Sequence, residues 1–248
     1  MKQHFFLVTI ITLFLPILVF SQLTITVESG QAFTQYNDVR APNEDNLKGS
    51  LFSLADDFQE VQTPIYFRAE AKYLINSKHT IEVTAVPLTV ESRNFQGNSL
   101  LFENESFEGG DINANYQFNT YRLSYRYRIV ARPKFLMDLG ASLLVRDAAI
   151  TISQNNTAIS NTDLGFVPLV SLYTEYKINP KFQVVLKGDA LVGPVGRAED
   201  FFLGLQYSPA SIISLKAGYR LIEGGADVDQ VYNFAFFHFA SFGLAYSF

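Results

Sequence analysis

From Leu23 onward, apolar and polar residues alternate with a period of two, the repeat of a strand whose successive side chains point to opposite faces. The clearest run sets Tyr121, Leu123, Tyr125, Tyr127 and Ile129 against Arg122, Ser124, Arg126 and Arg128. The last run sets Phe242, Leu244, Tyr246 and Phe248 against Ser241, Gly243, Ala245 and Ser247. Read this way, the chain holds ten strands, over residues 23–33, 64–75, 79–91, 121–129, 135–152, 166–177, 182–192, 201–207, 213–222 and 233–248. Pro87 removes a ladder donor inside the third and predicts a bulge near one rim. Tight turns are expected at Asn76-Ser77-Lys78, Arg132-Pro133-Lys134, Asn179-Pro180 and Ser208-Pro209-Ala210. Longer polar loops are expected over residues 37–62, with a helical turn at 51–58, and over 92–110, 154–162, 193–199 and 223–231. Long and short connections therefore alternate.

One face of nearly every strand is large and apolar, and the other is small or charged. In water the first face would need a second layer over it. In a membrane it meets lipid, while the second lines a lumen. The pattern predicts an all-β fold, a closed antiparallel up-and-down transmembrane barrel of about ten strands, within a range of eight to ten. Composition agrees: 48% of the 248 residues are hydrophobic and only 17% charged. Cys is absent, which excludes disulfides and thiolate chemistry. The net charge of -5 argues against nucleic acid, which needs a basic footprint. The first residues read as a secretory signal peptide over 1–21. Lys2 and His4 precede an apolar run, residues 5–20, broken by Thr9, Thr12 and Pro16, and Val19 and Ser21 sit at positions -3 and -1 of a cut before Gln22. Residues 22–248 then form the barrel domain.

The leader through Ser21, the alternating strands and the terminal Tyr246-Ser247-Phe248 resemble the small outer-membrane β-barrel proteins of Gram-negative bacteria. The resemblance implies a bacterial outer-membrane location with both termini periplasmic, and contact with outer-membrane lipid and lipopolysaccharide. It also implies recognition by the barrel-assembly machinery through Tyr246 and Phe248. The strand number is similar to that of the omptin proteases. Their paired active-site Asp residues have no counterpart at matching spacing, so that activity is not carried over.

The inward faces are expected to hold Arg68, Glu70, Lys72, Arg122, Arg126, Asp138, Arg146, Glu175, Lys187, Asp189 and Arg220. Glu82, Arg128, Lys177, Asp200 and Lys216 extend the set. Charges in a confined lumen must be paired or hydrated. The expectation is a salt-bridged filling, with a cation-lined passage or anion site as the alternative. A second group near the outer rim comprises Asp147, Arg197, Glu199, Asp200, Glu223, Asp227 and His238. It reads as a loop-stapling network, or as a site for a polar ligand. His238 points outward by parity. Lipid A deacylases carry a His-x-Ser pair on the outer face, but here His238 and Ser241 stand one residue further apart, on opposite faces. No catalytic residue, cofactor or metal is assigned. The expected role is structural or ligand-binding at the cell surface. The alternatives are a membrane-embedded hydrolase acting on lipid A or peptides, and a narrow small-solute channel.

Overall fold

In a computed structural model describing residues 22–61 and 64–248, ten strands close into one antiparallel barrel. The expected leader lies outside the described residues. The strands are β1 (Leu23–Arg40), β2 (Ile65–Leu74), β3 (His79–Val86, resuming as Thr89–Arg93), β4 (Asn113–Arg132) and β5 (Phe135–Gln154). They continue as β6 (Thr157–Lys177), β7 (Phe182–Gly193), β8 (Gly196–Ala210), β9 (Ile213–Val228) and β10 (Val231–Ser247). Each pairs with its neighbour in sequence, and β10 closes on β1, Thr24 opposite Ser247 through Arg40 opposite Tyr232. Closure leaves no free edge between first and last strand, the usual liability of a sheet.

Parity assigns the two faces. Tyr121, Leu123, Tyr125 and Ile129 are exposed on the outer wall, while Arg122, Ser124 and Arg126 between them are buried. On β10, Phe242, Leu244 and Tyr246 face out, and Ser241 and Ala245 face in. Rings gather at two levels of this wall. Tyr127, Tyr176, Phe182, Tyr207 and Tyr246 lie near the tight turns, and Phe33, Tyr121, Phe166 and Tyr219 lie higher. From His238 to Tyr246 the tilted strand rises roughly 20 Å, close to the height of a lipid-facing band. Close strand packing explains some glycines. A Cβ on Gly30 would stand 1.8 Å from the Ala240 carbonyl oxygen, and one on Gly140 1.8 Å from that of Tyr125.

The strands run longer than the alternation of apolar and polar residues predicts. The region expected as an Asn-rich loop, 154–162, is a two-residue turn at Asn155-Asn156 flanked by paired strand, with Gln154 opposite Thr157 and Ile150 opposite Asn161. Likewise Gly193 pairs with Gly196, and Val228 with Val231. The regions 193–199 and 223–231 are therefore strand tips. β4 begins at Asn113 and β1 continues to Arg40. Beyond the apolar band both strand faces can be polar, so hydrophobic alternation fades while backbone pairing persists. The interruption at Pro87-Leu88 fell where expected, and Asn119 Oδ1 there accepts from the Leu88 N–H at 3.3 Å.

The two long connections, after β1 and after β3, are not simply polar loops. They fold into the upper mouth of the barrel. Phe52, Leu54 and Phe58 from the first, and Phe95, Leu100, Phe102 and Phe107 from the second, join Tyr116, Ile150, Ile152 and Phe237 of the wall in one apolar core. A short hairpin, Ser99–Phe102 with Glu105–Glu108, supplies part of it. The helical turn expected at 51–58 reduces to a single closed turn, Asp57 N–H to the Ser53 carbonyl at 2.9 Å. It does not propagate, because Phe52, Leu54 and Phe58 are all committed to the core.

Candidate functional site

Below that core the lumen is filled by side chains. Asp200 on β8 accepts from Arg68 (2.9 Å), Arg122 (3.0 Å) and Arg220 (2.6 Å), which come from three other strands. Arg220 also holds Glu28 through two nitrogens, at 2.9 and 3.2 Å. Arg122 reaches Asp189 at 2.6 Å, and Ser142 donates to the other Asp189 oxygen at 2.7 Å. Arg68 bonds Glu70 at 2.6 Å, Lys187 bridges Glu70 and Glu82, and Arg126 closes the chain on Glu82 at 2.7 Å and Ser171 at 3.1 Å. The cations are Arg68, Arg122, Arg126, Lys187 and Arg220. The carboxylates are Glu28, Glu70, Glu82, Asp189 and Asp200. Within this bonded set positive and negative charges match one for one and all ten residues are buried, while Lys72 and Lys216 add two further cations to the lumen beside Glu70 and Glu82.

Such a cluster is stable only when each ion keeps partners, since desolvation of an unpaired charge costs several kcal/mol. Strand alternation delivers this by aiming charges from seven strands at one axis. Phe202, buried beneath Arg220 at 5.2 Å from its guanidinium, lies against Gly204 and Gly218, where a Cβ would clash with its ring. Tyr66 donates to Glu28 at 2.6 Å and contacts Ser241 at 2.6 Å, tying the network to β10.

The remaining expected lumen residues fall at its two ends. Toward the tight turns, Asp138 pairs with Arg128 at 2.8 Å, Glu175 accepts from Tyr173 at 3.2 Å, and Lys72 sits 5.8 Å from the Tyr173 ring centre. Toward the loops, Arg146 pairs with Asp163. The inward strand positions hold the expected charges, but Glu28 was missed. Its signal was present, since Thr24, Thr26 and Glu28 alternate with Leu23, Ile25 and Val27.

The expected rim group does not assemble into one site. Asp200 belongs to the lumen network. Asp147 faces outward and accepts from Gln117 at 3.1 Å and Asn119 at 3.4 Å. Asp227 accepts from Asn43 at 2.8 Å, stapling a loop. Arg197, Glu223 and Tyr36 do meet, on the outer wall, with the Arg197 guanidinium 4.9 Å from the Phe234 ring centre. Glu199 stands opposite Glu223 in the ladder. His238 faces outward between Tyr219 and Gln35, bonded to both. Neither expected carboxylate, Glu223 nor Asp227, is its partner, because each is engaged elsewhere. Ser241 points inward to Tyr66, so His238 and Ser241 do not share a face.

The chain matches no protein-family model and no curated protein. Among solved structures it is similar to the outer membrane protease OmpT from Escherichia coli. The TM-score is 0.55 at 10% identity, covering 91% of this chain and 96% of that one. It also aligns with an outer-membrane channel from Pseudomonas putida F1 (TM-score 0.45, 11% identity, 92% and 96% covered). A third alignment is with Ail of Yersinia pestis (TM-score 0.38, 13% identity, 91% and 98% covered). At these identities the first likeness bears on fold alone, and the other two carry no argument.

Proposed function

We propose that the chain is an integral outer-membrane β-barrel protein of a Gram-negative bacterium, with a sealed lumen and a structural or ligand-binding role at the cell surface. The apolar outer wall, the two levels of rings and the fold shared with an outer-membrane protein support the location. The start of β1 and the end of β10 adjoin, Phe248 N–H bonding the Leu23 carbonyl at 3.0 Å, at the end that carries the tight turns. That is the periplasmic arrangement in barrels with short turns on one side and longer loops on the other. Tyr246 and Phe248 are the residues offered to the assembly machinery.

One observation carries the functional reading. The lumen is blocked twice, by a charge-balanced cluster and by an apolar core above it. A ten-stranded barrel is little wider than those that side chains fill outright. Purified protein in planar bilayers should therefore show no steady conductance. Sustained ion-selective openings would replace this reading with that of a channel.

A further inference from the structure

The barrel wall is not closed to the same height all round. β6 pairs with β7 only from Val170, opposite Ala190, down to Lys177, opposite Gln183. Above Val170, the stretch Thr157–Leu169 pairs as a strand with β5 alone. The β7–β8 hairpin turns at Pro194-Val195, far below the β5–β6 tip. A gap is left between the free β6 edge and this short hairpin.

The gap stands at the level of the apolar band. Val145 on β5, opposite Phe166, belongs to the apolar wall, whereas Asp147, opposite Leu164, begins the polar one. The hairpin tip, Leu191-Val192-Gly193-Pro194-Val195, has no polar side chain, and Val192 and Val195 are 70% and 62% exposed. Its partners on β8, Arg197 opposite Val192 and Glu199 opposite Ala190, are charged and face outward, so the tip stands at the boundary between the apolar wall and the polar rim. Leu191 shares the inward parity of Asp189 yet is 39% exposed, because it faces the gap. Unpaired backbone at lipid depth is tolerated only where protein covers it or a water-filled cavity solvates it. Pro168 on that edge carries no N–H to satisfy.

Behind the gap lies a cavity of about 280 Å³. Phe166, Pro168, Leu191 and Val195 form its mouth, Leu144, Leu169 and Ile222 its walls, and Thr120, Arg122 and Arg146 its depth. The Nε–H groups of Arg122 and Arg146 are buried without acceptors. The neighbouring carboxylates Asp200 and Asp163 are already taken by guanidiniums. The depth thus has donors to spare. Glu199, Glu223 and the Arg197 paired with Glu223 also border the cavity, toward its outer side.

We infer that this gap is a lateral port through which a single-chain carboxylate amphiphile, of the fatty-acid class, passes from the surrounding leaflet into the barrel. Its carboxylate lodges against Arg122 and Arg146, with its chain running out between Pro168 and Leu191. The port rests on the membrane reading proposed above.

The test uses the purified protein in phosphatidylcholine nanodiscs, with tritiated dodecanoate as probe and empty nanodiscs as background. Each sample is first checked for the heat-dependent gel shift of a folded barrel, so that the two readings fail separately. A wild-type protein lacking the shift and recovered in the soluble fraction refutes the membrane barrel, and the port with it. With the shift present, saturable retention of one dodecanoate per barrel is expected. Leu169→Trp, which fills the cavity, should weaken it at least tenfold, and the milder Ile222→Phe should weaken it several-fold. Arg146→Gln should weaken dodecanoate but leave dodecanol unchanged. No saturable retention by the folded wild type overturns the port, as does equal retention by folded Leu169→Trp and Ile222→Phe.

Discussion

Asp200→Asn is the sharpest probe of the lumen, because one carboxylate there serves three guanidiniums. The amide is nearly isosteric, so packing is retained while charge is lost. Five buried cations then face four carboxylates. The new NH₂ group also points donors at arginines that can only donate. Removing one partner of a buried ion pair costs about 3–5 kcal/mol, mostly from the charge left behind. For a chain of this size that converts to a fall in Tm of roughly 6–20 °C, at ~2–4 °C per kcal/mol. The assay is the temperature at which the compact gel band converts to the unfolded one, backed by urea titration in lipid vesicles. A second substitution, Arg122→Gln, restores equal counts of charge. If the cost of Asp200→Asn is an unmatched cation, the double variant should recover about 1 kcal/mol or more relative to additivity. A change under about 1 kcal/mol for Asp200→Asn alone would refute the reasoning, since it would mean water already compensates these charges.

Further outcomes follow from the same geometry. Asp189→Ala, which leaves Arg122 with Asp200 as its one remaining carboxylate, should also lower stability, by about 1–3 kcal/mol in the same titration. His238→Ala removes an outward contact with Tyr219 and Gln35, and should shift stability by less than about 1 kcal/mol. The same variant should leave lipid A masses unchanged when expressed in a host lacking the protein, and a protein-dependent loss of an acyl chain that disappears in it would favour the hydrolase. Phe102→Ala opens the apolar core in the mouth, and should speed proteolysis around the exposed segment Glu44–Leu47 while the barrel's gel shift persists.

The residues that wrote the fold most legibly are those whose neighbours differ most from them. Arg122, Ser124 and Arg126 between tyrosines and leucines announce both strand and face, because lipid and lumen demand opposite chemistry at adjacent positions. The same rule found nearly every lumen charge. It passed over Glu28 because the rest of that strand's inward side, Thr24, Thr26, Gly30 and Ala32, gives a weak contrast. Where the solvent is the same on both faces, the rule has nothing to read. From Asn155 to Thr162 only the adjacent Ala158 and Ile159 are apolar, so no alternation shows and a paired strand looks like a loop.

Two features lay beyond any local reading. Phe52, Phe95 and Phe102 are spaced without period, because a loop core is closed by chain reversal rather than by a repeat. The unequal heights of the β5–β6 and β7–β8 hairpins are a comparison between strands, invisible along either one. Yet the short hairpin did leave a local mark. Leu191 through Val195 carry no polar side chain where the other hairpin tips at that end carry Asn155-Asn156 and Asp229-Gln230. Arg197 and Glu199 stand beside it on β8, so this turn ends at the boundary of lipid and water while its neighbours continue beyond. That shortfall in height, together with the apolar mouth of the cavity behind it, is why the wall is read as open to the membrane at that point.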